Sequence, residues 1–141
     1  MSMVVVDASV AIKWLIPQRP EEADVENALQ LFDLIDSQAA TLLQPPHFLA
    51  EVMAVATRLE PDYAERILFA VSNMEMSIIA GTDVYRSAIR LSMQLKHHLF
   101  DTLYHAVALQ TSGATFITAD AAYYRKAQGL GRVLLLKDFT A

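Results

Sequence analysis

Four acidic residues stand where solubility alone does not explain a carboxylate: Asp7, Glu51, Asp101 and Asp120. Asp7 closes the β-branched run Val4, Val5, Val6, where a strand hands the chain to a helix and where parallel α/β folds bind their ligands. Glu51 lies within Phe48-Leu49-Ala50-Glu51-Val52-Met53-Ala54-Val55-Ala56, a helical segment that is apolar on nearly every face. An ionised group buried there needs a cation or hydrogen bonds to compensate, and Arg58 and His47 are the ordinary partners within reach. Asp101 falls in the first turn of a helix and Asp120 just after a strand, where an acid also serves as a dipole partner or an N-cap. Asp7 has that same alternative use, which Ser9 could share. Taken together, the four are expected to converge, three along one edge of a sheet and Glu51 from an adjoining helix. Like charges so placed raise one another's pKa and destabilise the fold unless divalent cations neutralise them. All-oxygen donors favour Mg2+ or Mn2+. Such a site suits phosphodiester hydrolysis, because a metal can generate hydroxide and stabilise charge developing on the phosphate.

His97 and His98 precede Asp101, and His105 follows it by one helical turn, so a zinc site is an alternative. Zinc needs three protein ligands on firm elements, and adjacent histidines on a helix point in different directions, so surface or core roles are expected for all three. Arg86, Arg90 and Lys96 could guide phosphates toward the acids, but a solvated helix face is the simpler expectation in a chain this poor in charge. Trp14, Tyr104, Tyr123 and Tyr124 suit base stacking and core packing equally.

The elements that must position these groups alternate along the chain. Val4 to Val6 reads as a strand, Ser9 to Ile16 as a helix stopped by Pro17, and Glu21 to Gln38 as a helix with an apolar stripe at Val25, Ala28, Leu29, Phe32 and Ile35. A strand is expected at Thr41 to Leu43, then helices from His47 to Leu59 and from Pro61 through Val71. Met76 to Ala80 reads as a third strand, ended by Gly81, and Thr82 or Asp83 as the cap of a helix reaching His97. Phe100 to Ser112 is a helix stopped by Gly113, Thr115 to Thr118 a strand, Ala119 to Gln128 a helix closed by Gly129, and Val133 to Leu136 a last strand. Alternation of this kind requires crossovers, hence an α/β fold with a parallel sheet of four to five strands sandwiched between helices. Residues 1–141 read as one domain.

The absence of cysteine excludes disulfides, thiol nucleophiles and thiolate metal sites. A hydrophobic content of 54% against 19% charged implies apolar surface to be covered by another subunit, so a dimer or a partner is expected. Met3 to Val6 is interrupted by Asp7, too early for a secretory segment, and no run approaches the ~18 apolar residues of a spanning helix. A cytoplasmic protein with no membrane role is therefore expected. The net charge of −5 opposes phosphate binding at first sight. With four acids engaged by cations, however, the remaining balance is close to neutral and does not exclude a nucleic-acid substrate.

In order, these motifs resemble those of a PIN domain, and within that superfamily the ribonuclease toxins of VapBC-type toxin–antitoxin modules. Val5-Val6-Asp7-Ala8-Ser9-Val10 is similar to the first motif and Pro46 to Val52 to the proline-then-Glu helix. Phe100-Asp101-Thr102-Leu103-Tyr104 is similar to the third and Phe116-Ile117-Thr118-Ala119-Asp120 to the last. The resemblance covers nearly the whole length. It implies a three-layer PIN-like fold and an endoribonuclease dependent on Mg2+ or Mn2+. Such enzymes cut RNA, are usually homodimers, and are inhibited by a cognate antitoxin protein that inserts a segment over the acidic pocket. It gives the catalytic and metal-holding roles to Asp7, Glu51, Asp101 and Asp120, with supporting hydroxyls at Thr118 and Ser9. His105 departs from the pattern, which usually has an aliphatic or small residue there; by the resemblance its position would line the pocket, beside the surface or core role that its own spacing suggests. A haloacid dehalogenase would need a second Asp where Ser9 stands, and a receiver domain an Asp where Gly81 follows the third strand. An inert PIN scaffold that binds RNA or protein is the non-enzymatic alternative, and the presence of all four acids argues against it.

Overall fold

The computed structural model describes residues 2–17, 19 and 23–141. Five strands, β1 (Ser2–Val6), β2 (Ala40–Gln44), β3 (Ser77–Ile78), β4 (Ala114–Thr118) and β5 (Val133–Leu135), form one sheet in the order β3-β2-β1-β4-β5. Every pairing is parallel. Among the described residues seven α-helices flank it: α1 (Ala8–Leu15), α2 (Val25–Asp36), α3 (Phe48–Leu59), α4 (Ala64–Ser72), α5 (Thr82–Leu95), α6 (Leu99–Gln110) and α7 (Ala121–Ala127). None of them is long and apolar enough to cross a membrane.

The valine run makes β1 the central strand, because β-branched side chains fit a pleated surface and Val4, Val5 and Val6 can be buried on both faces of a covered parallel sheet. α6 lies against β1, β2 and β4, and its residues Thr102 to Ala108 are buried without interruption. From it Tyr104 stacks on Phe116 of β4, ring centroids 5.9 Å apart. The centre of the core is thus aromatic, directly beneath the strand ends that carry the acids.

Several boundaries move for identifiable reasons. Gln18, Pro20, Glu21 and Glu22 lie outside the described residues. The helix expected from Glu21 to Gln38 is described as Val25–Asp36, bounded by Asp24 and Gln38, both with positive φ, which a right-handed helix does not accommodate. β3 contracts to two exposed edge residues. α5 stops at Leu95 and not at His97, because Lys96 turns into the left-handed region at φ 52. That reversal leaves His97 and His98 in a turn, with the His98 ring capping α6 by accepting from the Phe100 N–H at 3.1 Å. α7 starts at Ala121, with Asp120 as its cap and not its second residue.

The carboxyl end of β1 is fixed by a side chain acting as strand backbone. Gln44, wholly buried at the end of β2, accepts from the Val6 N–H at 3.0 Å and donates to the Val6 carbonyl at 2.7 Å. The β1–β2 ladder runs only from Ser2↔Ala40 to Val4↔Leu42, so this amide satisfies the Val6 backbone on that side. Replacing Gln44 with Leu strands a buried N–H and a buried carbonyl, each costing about 1–3 kcal/mol, and a total loss of about 3 kcal/mol is expected. Urea denaturation measures it. A loss under about 1 kcal/mol would mean that Val6 finds other partners.

Candidate functional site

Asp7 emerges from β1 as the N-cap of α1, accepting from the Val10 N–H at 3.3 Å. The same carboxylate accepts from the Ser9 hydroxyl at 2.5 Å and from the Thr118 hydroxyl at 2.5 Å. Register explains the second contact: β1 pairs with β4 at Val6↔Ile117, so the next residue on each strand, Asp7 and Thr118, arrives level. The two hydroxyls then accept in turn, Thr118 Oγ1 from the Asp120 N–H at 3.0 Å and Ser9 Oγ from the Ala119 N–H at 3.2 Å. The β4–α7 turn therefore hangs from Asp7, and Asp120 caps α7 by accepting from the Tyr123 N–H at 3.1 Å. Of the two uses foreseen for Asp7, the cap is present.

Burial pushes the Asp7 carboxyl up from 3.8 to about 6. Hydrogen bonds from Ser9, Thr118 and Val10 oppose that rise without cancelling it, and the neighbouring Asp101 charge adds to it. Asp101, in the first turn of α6, accepts from His97 Nε2 at 2.9 Å. His97, Asp101 and Asp120 each present a ligand atom, all within 4.8 Å of one another. Glu51 projects from α3 and accepts the Tyr104 phenol at 2.6 Å, with His47 Nε2 3.4 Å away. Burial alone would raise its pKa, but hydrogen bonds from His47 and Tyr104, and the charges of His47 and His98, bring it below its ordinary value. Tyr104 joins the group: burial first, then its bond to Glu51 and the charges of Glu51, Asp7 and Asp101, drive its phenol far above the usual range.

The arrangement is a set of carboxylates at the carboxyl end of a parallel sheet, with one of them held towards its protonated form. Hard oxygen donors with mutual repulsion fit a divalent cation of the Mg2+ or Mn2+ type. A PIN domain family model matches residues 4–129.

The chain belongs to the PIN domain family.

Two solved structures share the fold. A toxin–antitoxin complex from Klebsiella pneumoniae matches at 19% identity and a TM-score of 0.67, covering 94% of this chain and 97% of that chain. VapBC2 from Rickettsia felis, bound to a DNA fragment from their promoter, matches at 13% identity and a TM-score of 0.66, covering 94% and 96%. No curated protein matches the sequence.

Within this PIN domain the other sequence candidates resolve differently. His105 does not line the pocket. It is wholly buried, with Nδ1 2.9 Å from the Tyr123 hydroxyl and Nε2 2.8 Å from the Gly131 carbonyl. The carbonyl only accepts, so Nε2 carries the proton and Nδ1 accepts from Tyr123; burial lowers the His105 pKa despite the Gly131 bond. His47, and not Arg58, is the basic neighbour of Glu51. Arg86 pairs with Asp83 at 3.0 Å on an exposed face, and Tyr104 and Tyr123 are buried in the core. His97, which the sequence offers only within a zinc alternative, stands beside Asp101 and Asp120, with Lys126 next to it. The spacing of His97 from Asp101 was visible, but only the left-handed Lys96 turns the ring inward, and nothing in the sequence marks Lys126.

The raised Asp7 pKa has a sign. The folded protein retains a proton that the unfolded chain releases between about pH 4 and about pH 6. This contribution to stability is complete below 3.8 and is lost as pH rises through about 6. Asp7→Asn removes it, and hydroxyl rotors at Ser9 and Thr118 can reorient to the amide. Without added metal, Asp7→Asn is expected to gain up to about 3 kcal/mol over the wild type at about pH 8 relative to the same comparison at about pH 4. Taking the difference between the two proteins at each pH cancels the opposite trend from His105. Urea midpoints at both pH values provide the check, and a difference independent of pH would refute the burial of a charged Asp7.

Proposed function

We propose that this PIN domain is a Mg2+- or Mn2+-dependent endoribonuclease and the toxin of a toxin–antitoxin pair. The observation that carries the reading is the juxtaposition of Asp101 and Asp120 within 4.8 Å, beside an Asp7 that its surroundings hold towards protonation. These are carboxylates whose repulsion a dication would relieve. Asp7, Asp101 and Asp120, with Glu51 reached across Tyr104, would hold the cation, which when bound supplies a hydroxide near neutral pH and stabilises the charge developing on a phosphate.

The protein's own groups do the positioning. Ser9 and Thr118 donate to the two oxygens of Asp7 and fix its plane. Tyr104 and His47 keep Glu51 ionised, so its carboxylate stays available as an oxygen donor to a cation. Thr118, at the end of β4, couples Asp7 to the Asp120 turn, so the acids move as a unit if they move at all. Membership of the PIN family supports nuclease chemistry. The two similar structures are both toxin–antitoxin complexes, which supports a protein antitoxin as partner. An exposed stripe on α5, Tyr85, Ile89 and Met93 at one-turn spacing, supports a homodimer. We take the chain as one domain acting in the cytoplasm.

Purified protein incubated with a set of structured and single-stranded RNAs is expected to cut in Mg2+ or Mn2+ and to stop in a chelator. Asp7→Asn, while still folded, is expected to lose on the order of 100-fold or more in cleavage rate. Full activity in the chelator, or in folded Asp7→Asn, would overturn the assignment.

A further inference from the structure

We infer that Lys126 locks His97 into a single tautomer, making His97 a positioning residue that donates to Asp101 and keeping its imidazole out of the metal-ligand set. By distance alone the cluster His97, Asp101 and Asp120 is a three-ligand site of mixed nitrogen and oxygen, the kind that accepts Zn2+. The hydrogen-bond order contradicts that first impression. Lys126, near the end of α7, places Nζ 3.2 Å from the Lys96 carbonyl and 3.1 Å from His97 Nδ1. On the other side of the ring, Nε2 is 2.9 Å from Asp101 Oδ2.

An ammonium group only donates, and a carboxylate only accepts. Nδ1 must therefore offer its lone pair to Lys126, and the ring proton must sit on Nε2, aimed at Asp101. The other neutral tautomer would set an N–H against the ammonium and a lone pair against the carboxylate. Doubly protonated imidazolium would keep the first of those conflicts. One chain of donors thus runs in one direction, from Lys126 through His97 to Asp101. The ring has little freedom to leave it. Its side chain is only 14% exposed, and it packs edge-on to Tyr123, ring centroids 4.9 Å apart. The backbone on either side of the ring is pinned by Ser92, whose carbonyl accepts from the His97 N–H at 3.1 Å and whose hydroxyl donates to the His97 carbonyl at 2.6 Å.

A metal ligand needs the Nε2 lone pair, which this tautomer does not have. His97 consequently orients the Asp101 carboxylate from outside the ligand shell, and the donors left facing a cation are oxygens. Lys126, which touches neither Asp101 nor Asp120 in any described contact, acts as a selectivity device: it biases the site towards hard cations by withholding a nitrogen ligand. The metal-holding role of Asp101 rests on the function proposed above, whereas the tautomer does not.

Long-range proton–nitrogen spectra of the 15N-labelled, metal-free protein read the tautomer directly, with His97→Gln identifying the His97 signals among the four histidines. The expected pattern is an unprotonated Nδ1 and a protonated Nε2. Lys126→Arg, also donor-only, should preserve it. Lys126→Met should release it, because water can then accept a proton from Nδ1. In parallel, calorimetric titration with Zn2+ alone should show tighter binding by Lys126→Met, about tenfold relative to the wild type, with Lys126→Arg unchanged and His97→Gln added to Lys126→Met abolishing the gain. An unprotonated Nε2 in the wild type, or equal Zn2+ affinity in the wild type and Lys126→Met, would overturn the inference. A protein that shows the expected spectrum and Zn2+ series but never cuts RNA would instead remove the nuclease reading and leave the tautomer lock standing.

Discussion

A carboxylate set into the end of the central strand of a buried parallel sheet is the constraint on which this site turns. Asp7 receives three hydrogen bonds, from Ser9, Thr118 and Val10, and is still not held in its charged form as easily as in water. Desolvation outweighs the donors because each hydroxyl is a neutral dipole, while the Asp101 charge that also acts on it has the wrong sign. A purely structural cap would have no reason to pay this, since an N-cap Asp at a wetter helix start gives the same hydrogen bond without burial. The surplus proton affinity of Asp7 is the physical mark that separates a candidate site from a set of helix caps.

Around that point the fold removes freedom. β1 is gripped on the β4 side by the ladder and on the β2 side by the Gln44 amide, which satisfies both the N–H and the carbonyl of the residue before Asp7. Ser9 and Thr118 each donate to Asp7 and accept from the β4–α7 turn, which ties the start of α1 to the start of α7. Rigid elements with locked rotamers are what a geometrically demanding site requires. Here the two-fold use of each hydroxyl supplies the locking without any additional side chains.

The architecture was largely legible because its signals are local. A β-branched run, periodic apolar stripes and Gly or Pro stops give α/β alternation, and alternation forces parallel strands. Glu51 was legible in part: an acid in an apolar helix demanded a partner, and His47 one turn earlier was a candidate. The phenol of Tyr104, 53 residues away, was beyond reach of any pattern. The left-handed Lys96 is the sharpest failure. Glycine would have announced such a turn, whereas a lysine there carries no signal, and the placement of His97 depends on it. His105 takes the core role expected from its spacing, while the pocket role attached to the resemblance fails, because a helix buried over most of its length has no free face.

The histidines show how one imidazole chemistry is divided among different tasks by its neighbours. His47 keeps Glu51 charged, His97 donates to Asp101, and His105 spends both nitrogens joining α6 to Tyr123 and the turn before β5. The shift of Asp7 is set by burial, neutral hydroxyl and amide donors and the Asp101 charge, whereas Glu51 has the imidazoles of His47 and His98 acting on it, which is why the two move in opposite directions from similar starting values. Environment thus pushes the proton affinities of two acids apart, holding Asp7 towards its protonated form and Glu51 in its charged form. In this fold the separation follows from topology: Asp7 is fixed by strand register at the buried centre of the sheet, and Glu51 hangs from a helix where a phenol and an imidazole can reach it.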